Sequence, residues 1–149
     1  MTIAWEIKEF DELSNIELYS ILSLRAEVFV VEQNCPYQDA DGKDLKSLHL
    51  MGRDENGNLI TYSRIVPPGV SFTEVSIGRV VSSPKLRGTG AGKALMTKSI
   101  EVINQKYGTA PIRIGAQLYL KKFYESFGFI QISEEYLEDN IPHIEMTKH

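Results

Sequence analysis

The sequence contains a single cysteine, Cys35, and no apolar run long enough to cross a bilayer. One cysteine cannot form an internal disulfide, which is typical of proteins in the reducing cytoplasm. The longest apolar stretch, EVFVVEQ, is short and flanked by charge, and the N-terminal segment MTIAWEIKEF lacks the basic start and apolar core of a signal peptide. We therefore expect a cytoplasmic protein with no membrane partner.

The sequence also has no excess of positive charge. The 149 residues include 16 Lys plus Arg and 20 Asp plus Glu, a net charge of −4, and a mildly acidic chain binds the nucleic-acid backbone poorly. No nucleic-acid partner is therefore expected. With 42% hydrophobic and 24% charged residues, the composition fits one folded domain over residues 1–149. Both a monomer and a homodimer are compatible with the sequence.

The periodic patterns predict an α/β (α+β) domain around one sheet. Apolar alternation predicts strands, and apolar residues recurring every three to four positions predict helices. The first helix begins at a capping-box sequence, SNIE at 14–17. It carries Arg25 and Glu32 on one face, where we expect them to form an ion pair, the alternative being that they line the acceptor pocket. The predicted strands are 3–7, 47–54, 57–66, 74–81, 111–116, 129–133 and 142–148, and the predicted helices are 14–31, 92–107 and 117–128.

The segment VVSSPKLRGTGAGK at 80–93 carries a strand into a helix start through a glycine-rich turn. Free amides at a helix start favour an anion, and Arg87 and Lys93 add positive charge, so the turn predicts a phosphate site. A Walker A loop does not fit, because Arg87 stands five positions before Gly92, where that loop needs Gly, and Ala94 follows Lys93. A dinucleotide fingerprint, GxGxxG, does not fit either, because Lys93 stands where the third glycine is required.

A third pattern does fit. Arg-x-x-Gly-x-Gly at Arg87, Gly90 and Gly92 resembles motif A of the GCN5-related N-acetyltransferases (GNAT), and QLYLKKFYESFGF at 117–129 resembles their motif B. Gln117 stands where the family more commonly has Asn. The segments 24–44, His49-Leu50, 77–81 and 140–146 look like the ElaA-like branch, so the resemblance covers nearly the whole chain.

This resemblance implies a single GNAT-type domain with a mixed, mostly antiparallel central sheet flanked by helices, whose fourth and fifth strands splay apart. It also implies acetyl-CoA as acyl donor, with no metal. Pantetheine would pair with the backbone of Val80 and Ser82, and Val81, Gln117 and Phe123 would complete the cofactor site. The pyrophosphate would be held by the turn residues Arg87, Gly88, Thr89, Gly90, Ala91, Gly92 and Lys93.

For catalysis the resemblance assigns Tyr124 as general acid toward the leaving sulfur. The alternative is a tyrosine packed beside its aromatic neighbours with its hydroxyl satisfied locally. The family has no fixed base. His49 has a suitable ordinary pKa, although a lone strand histidine is commonly structural, and water can also relay the proton.

The acceptor side is predicted less specifically. Glu32, Arg64 and Glu74 are candidate substrate contacts, and Glu32 and Glu74 are also candidate bases. The loop QDADGKD at 38–44 lacks the spacing of an EF-hand and is interpreted as a solvated turn whose carboxylates could attract a cationic acceptor. Cys35 is interpreted as a packed thiol.

The leading hypothesis is therefore transfer of an acetyl group from acetyl-CoA to a primary amine, on a small molecule or a peptide, by direct attack in a ternary complex. The alternative is a non-catalytic acyl-CoA-binding or sensor module of the same fold. Tyr124 favours catalysis, because a module without turnover does not need an acid at this position.

Overall fold

The computed structural model describes residues 2–149. Within them the strands are β1 (Ala4–Glu9), β2 (Leu48–Arg53), β3 (Leu59–Val66), β4 (Ser76–Ser82), β5 (Ile112–Gln117), β6 (Ile130–Gln131), β7 (Tyr136–Glu138) and β8 (Ile141–Lys148). The α-helices are α1 (Asn15–Arg25), α2 (Ala91–Tyr107) and α3 (Lys121–Glu125), and α1 continues as a π-helical segment, Ala26–Glu32. No helix in this part of the chain is long and apolar enough to cross a membrane.

The strands form two four-stranded antiparallel groups. The first has the order β1-β2-β3-β4, and in the second β8 lies between β5 on one side and β6 and β7 on the other. The groups are joined at one parallel bridge between Val75 and Ile112, where the Arg113 amide donates to the Val75 carbonyl at 3.0 Å. Beyond this bridge no ladder joins β4 to β5 within residues 2–149, which confirms the predicted splayed pair and opens a cleft between them.

A β-bulge interrupts β4 beside this cleft. Tyr62 faces Val81 and Arg64 faces Gly78, so β4 contains one more residue than β3 between these two pairs. Arg79 lies in the bulge with a φ of 49°, in the left-handed region. An extra residue bends a strand and increases its local twist, and it therefore redirects the backbone of β4 where the cleft begins.

Helices cover both faces of the sheet. Leu95, Met96 and Ile103 of α2 belong to a buried cluster with residues of β3, β4, β5 and β8. On the opposite face Ile21 and Leu24 of α1 pack in a second cluster with residues of β2, β3 and β4. This layered arrangement matches the predicted mixed α/β fold, with α1 on one face of the sheet and α2 and α3 in the cluster on the other.

Local signals predicted several elements correctly. The capping box at α1 is present, because Ser14 Oγ accepts from the Glu17 amide at 3.0 Å and Glu17 Oε1 accepts from the Ser14 amide at 2.9 Å. The Asn56-Gly57 turn joins β2 to β3, with Gly57 at a φ of 81°.

Several elements differ from the prediction. The helix expected over 14–31 is α-helical only to Arg25, and the strand expected over 129–133 is limited to Ile130–Gln131. The expected helix over 117–128 is shorter, because Gln117 ends β5 and a 3-10 turn, Leu118–Leu120, precedes the five residues of α3. Strand β7 was not predicted, since a three-residue edge strand is too short to show an alternating pattern.

Candidate functional site

The splay between β4 and β5 opens a cleft of about 500 Å³. One wall is β4 from Ile77 to Ser82, and the opposite wall is the end of β5 with α3. The π-helical segment, the loop at 35–43 and the β7–β8 turn complete the lining, and the loop contacts the turn where Cys35 meets Asp139. The cleft therefore has one end near the glycine turn and one end near the acidic loop.

Val80, Val81 and Ser82, the residues expected to bind pantetheine, all line the cleft. One edge of β4 pairs with β3, through Tyr62 to Val81 and Thr61 to Ser82. The opposite edge has no ladder partner along these residues within the described chain. Free backbone amides and carbonyls on a strand edge can bind an extended ligand as an added strand.

The glycine turn leads into an uncapped helix start. Gly88 and Gly90 have φ values of 81° and 84°, which favour glycine, and Gly90 is the N-cap residue. The first intrahelical bond runs from the Ala94 amide to the Gly90 carbonyl at 3.0 Å, and no side chain caps this end. The preceding amides, those of Ala91, Gly92 and Lys93, thus lack acceptors within residues 2–149 and suit an anion.

Several predicted cofactor residues support this turn without lining the cleft. Phe123 packs under it, because a Cβ added to Gly92 would lie 3.8 Å from the Phe123 ring. Gly90 and Lys93 border a separate surface hollow beside Trp5. Thr89 donates its hydroxyl to the Leu86 carbonyl and stabilises the turn internally.

Arg87 is the cation of the turn that reaches the cleft. Its guanidinium donates to the Glu32 carboxylate, and this hydrogen bond raises the pKa of Arg87. The expected Arg25–Glu32 ion pair is therefore wrong. The physical reason is the π-helical segment, whose bonds span five residues (Gln33 N to Val28 O, 3.1 Å), so side chains seven positions apart no longer stack.

Tyr124 lies on α3 and lines the cleft with 7% of its surface exposed. Its ring makes edge contacts with Phe123 and Phe129, at centroid distances of 5.2 and 6.1 Å. Burial raises the pKa of the Tyr124 hydroxyl above its ordinary value. No side chain or carbonyl among residues 2–149 is hydrogen-bonded to this hydroxyl, so the alternative of a locally satisfied tyrosine is not what the structure has.

Gln117, at the end of β5, also lines the cleft. Its amide group exchanges hydrogen bonds of 3.3 Å with the side chain of Gln33, which follows the π-helical segment. This pair connects the β5 wall of the cleft to the π-helical segment.

His49 is not positioned as a base. It is fully buried, its Nδ1 is 2.7 Å from Tyr62 Oη, and its Nε2 is 2.9 Å from the Asp44 carbonyl. Burial lowers the pKa of His49. Both ring nitrogens are engaged and the ring does not line the cleft, so the predicted base role is wrong.

The other predicted acceptor contacts, Glu74, Arg64 and Glu32, have different outcomes. Glu74 does not line the cleft and lies 3.9 Å from Arg113, at the end where β4 and β5 meet, so its assignment as a substrate contact or base is wrong. Arg64 does line the cleft, but its guanidinium binds Asp41 at 2.7 and 2.8 Å and Asp44 at 3.0 Å. Glu32 does not line the cleft either, but its carboxylate is paired with Arg87, which does.

The loop 38–44 is exposed at residues 38 and 40–42, as a solvated turn would be, but its carboxylates are bound by arginines. The fully buried Arg25 donates to both carboxylate oxygens of Asp44, at 2.8 and 3.2 Å, and to Asp39 at 2.8 Å. Arg79 of the bulge also binds Asp39, at 2.8 Å. Burial acts to raise the pKa of Asp44, but Arg25 and Arg64 outweigh it and hold that pKa below its ordinary value. The loop is thus fastened over one end of the cleft.

Sequence reasoning missed His143 and Glu138. His143 lies on β8 opposite Gln117 of β5, lines the cleft, and has a ring nitrogen 3.3 Å from the Glu138 carboxylate. The only sequence signal was the segment NIPHIEM, and nothing in it specifies that register. Cys35 is buried in the cleft wall, and its thiol donates to the Asp139 carbonyl at 3.4 Å. The described chain contains no cluster of three or more potential metal ligands.

Comparisons with known proteins agree with this geometry. The chain is 46% identical over 148 residues to protein ElaA of Escherichia coli K12, covering 98% of this chain and 96% of ElaA. The crystal structure of an acyl-CoA N-acyltransferase from Pseudomonas aeruginosa has a TM-score of 0.94 at 42% identity, covering 99% of this chain and all of that one. The crystal structure of E. coli ElaA gives 0.92 at 45% identity, covering 99% and 100%. Residues 24–149 match the acetyltransferase (GNAT) domain, and the chain belongs to this family.

Proposed function

We propose that this protein is an acetyl-CoA-dependent N-acetyltransferase that acetylates a primary amine by direct attack in a ternary complex. The observation that carries the proposal is the Tyr124 hydroxyl, which has no hydrogen-bond partner within residues 2–149 and lines the same cleft as Arg87 and the free edge of β4. A hydroxyl in this position is available to a group that enters the cleft.

The donor side of the cleft fits a CoA thioester. The uncapped amides of Ala91, Gly92 and Lys93, together with Arg87, offer hydrogen bonds and positive charge to a pyrophosphate. The free edge of β4 at Val80–Ser82 offers backbone partners to the amides of pantetheine. The same strand amides can polarise a thioester carbonyl, as donors in an oxyanion hole do.

Tyr124 then supplies the proton that the departing sulfur needs. Because burial raises its pKa, the hydroxyl stays protonated across the range in which enzymes are assayed. General acid catalysis of this kind contributes about 10²- to 10⁴-fold to the rate.

Direct attack is supported by the hydrogen bonding of the Cys35 thiol, which lines the cleft. Cys35 is buried and donates to the Asp139 carbonyl, and no basic side chain of the described chain is hydrogen-bonded to its sulfur. A cysteine nucleophile needs a base or a cation to form its thiolate. Cys35 is therefore not equipped to carry the acyl group, which supports direct transfer from donor to amine.

The test is release of free thiol from acetyl-CoA in the presence of a panel of amines, comprising peptides with free N-termini, lysine peptides, polyamines, amino sugars and arylalkylamines. We expect at least one amine to stimulate release. Calorimetry is expected to detect CoA binding but not ATP or NAD binding. Binding of CoA without amine-dependent release would favour the non-catalytic acyl-CoA sensor, and preference for ATP or NAD would contradict both functions.

A further inference from the structure

His143 is the histidine that the described chain places in the cleft. It lies on β8, 8% exposed, opposite the last residue of β5. We propose that His143 is the base that takes a proton from the acceptor, and that Glu138 binds the acceptor in its ammonium form. This inference rests on the proposed function, and it narrows the acceptor to amines that are protonated in solution.

The hydrogen bonding of His143 fixes which nitrogen can accept a proton. Its Nδ1 lies 2.7 Å from the carbonyl oxygen of Ile141. Because a carbonyl can only accept, Nδ1 must carry the hydrogen, and the lone pair of the neutral ring is on Nε2. Tyr136 stacks on the ring, with centroids 6.0 Å apart, and holds its plane. His49 offers no such lone pair, since both of its nitrogens are engaged.

Glu138 lies beside the His143 nitrogen that would accept the proton. Its Oε2 is 3.3 Å from His143 Nε2, and its side chain is 61% exposed at the mouth of the cleft. His143 Nε2 has no hydrogen-bond partner within residues 2–149, so its lone pair is free for a donor that enters the cleft. An ammonium group can be that donor, because its three N–H groups can bridge the Glu138 carboxylate and the ring nitrogen.

The other charged groups around the cleft are less suited to be the base. Asp41 is bound by Arg64, and Lys43, Arg64 and Arg79 are cations. Asp139 is exposed beside Glu138 and adds to the negative charge at the entrance. Together with Glu138 and Tyr136 on β7, they are the titratable and charged groups that surround His143.

The proton balance is complete with these residues. The ammonium N–H bond breaks and its proton moves to His143 Nε2, from which exposed Glu138 can pass it to solvent. The freed lone pair of the amine forms the new C–N bond as the C–S bond breaks. Tyr124 gives its proton to sulfur and regains one from the acylated nitrogen. One ammonium ion and one thioester thus yield one amide, one thiol and one released proton.

The first test uses the free protein and needs no acceptor. Long-range proton–nitrogen spectra of histidine-labelled protein with a neutral ring should show His143 carrying hydrogen on Nδ1. In Glu138→Gln the Nε2 resonance should shift, because the group 3.3 Å from that nitrogen is changed. Glu135→Gln, an exposed change three residues away, should not shift it. Hydrogen on Nε2, or no effect of Glu138→Gln, would overturn the proposal.

The second test follows kcat/KM with pH, using an alkylamine found to stimulate thiol release. His143→Asn should lower kcat/KM about 10²- to 10⁴-fold at neutral pH. The loss should shrink as the pH approaches that of amine deprotonation, because the free amine no longer needs the base. CoA binding by calorimetry should be unchanged. A loss that is equal at every pH would show a structural role and overturn the assignment.

The two tests separate the two proposals. If no amine stimulates thiol release, the proposed function fails while the spectra still report whether His143 and Glu138 form the described pair. If an alkylamine is acetylated and His143→Asn is as active as the wild type, the function stands and this inference is wrong.

Discussion

Glu32 and Arg87 form an ion pair that joins the end of the π-helical segment to the glycine turn at the mouth of the cleft. Both side chains are exposed, and Arg87 is the turn cation that lines the cleft. A pyrophosphate bound at the adjacent helix start would therefore compete with the Glu32 carboxylate for the same guanidinium.

Glu32→Gln should strengthen CoA binding, because Arg87 is then free for the phosphate oxygens. The gain should be a few-fold at most, since exposed ion pairs are weak, and it should diminish at high salt. Calorimetry with CoA at low and high ionic strength measures it. Glu27→Gln, an exposed change on the same segment, is the matched control. Weaker CoA binding in Glu32→Gln would mean that the ion pair organises the site instead of competing with the ligand.

Arg87→Ala should weaken CoA binding by about tenfold or more, because a charge-assisted hydrogen bond to phosphate is lost. Binding of pantetheine, which has no pyrophosphate, should not change. Lys85→Ala removes the same charge two residues away, from an exposed side chain that does not line the cleft. An equal loss for CoA and pantetheine would contradict the phosphate role of Arg87.

Tyr124→Phe should lower kcat about 10²- to 10⁴-fold and leave acetyl-CoA affinity unchanged, since only the proton donor is removed. The melting temperature should not fall, because the hydroxyl has no hydrogen-bond partner among residues 2–149. Tyr19→Phe removes a hydroxyl from an exposed ring of α1 and serves as control. Undiminished thiol release in Tyr124→Phe would remove the acid role and favour water as proton source.

The parts of the fold that the sequence predicted correctly are those decided by local chemistry. The capping box of α1 involves residues three apart, and the glycine turn depends on φ values that glycine adopts readily. Motif B likewise contains Tyr124 and its neighbours within a single segment. Each of these features can be recognised without knowing which distant strand lies beside it.

The errors arose where distant segments meet. Arg25 binds Asp39 and Asp44, which lie 14 and 19 positions away on a loop. No periodicity in the sequence could identify these partners. His143 enters the cleft because β8 pairs with β5 in a particular register. His49 is on a strand with an apolar pattern, but only the packed structure shows that both of its nitrogens are bonded.

The buried pair of Arg25 and Asp44 should make stability depend on pH. Arg25 and Arg64 outweigh burial and hold the pKa of Asp44 below its ordinary value, so folding favours the ionised form. Its contribution is complete above the unfolded pKa, about 3.9, and is lost as the pH falls through the lower folded pKa. Urea unfolding at pH 7 and pH 3 should show this loss.

Asp44→Asn should lower the free energy of unfolding at pH 7 by about 3–5 kcal/mol, the usual cost of breaking a buried ion pair. The variant should also lose less stability than the wild type between pH 7 and pH 3, since it lacks the carboxylate that titrates. Asp11→Asn, an exposed change outside the network, should behave as the wild type at both pH values. If Asp44→Asn kept the full pH dependence, the acid sensitivity would originate in another carboxylate, and the Arg25–Asp44 pair would not be what fastens the loop over the cleft.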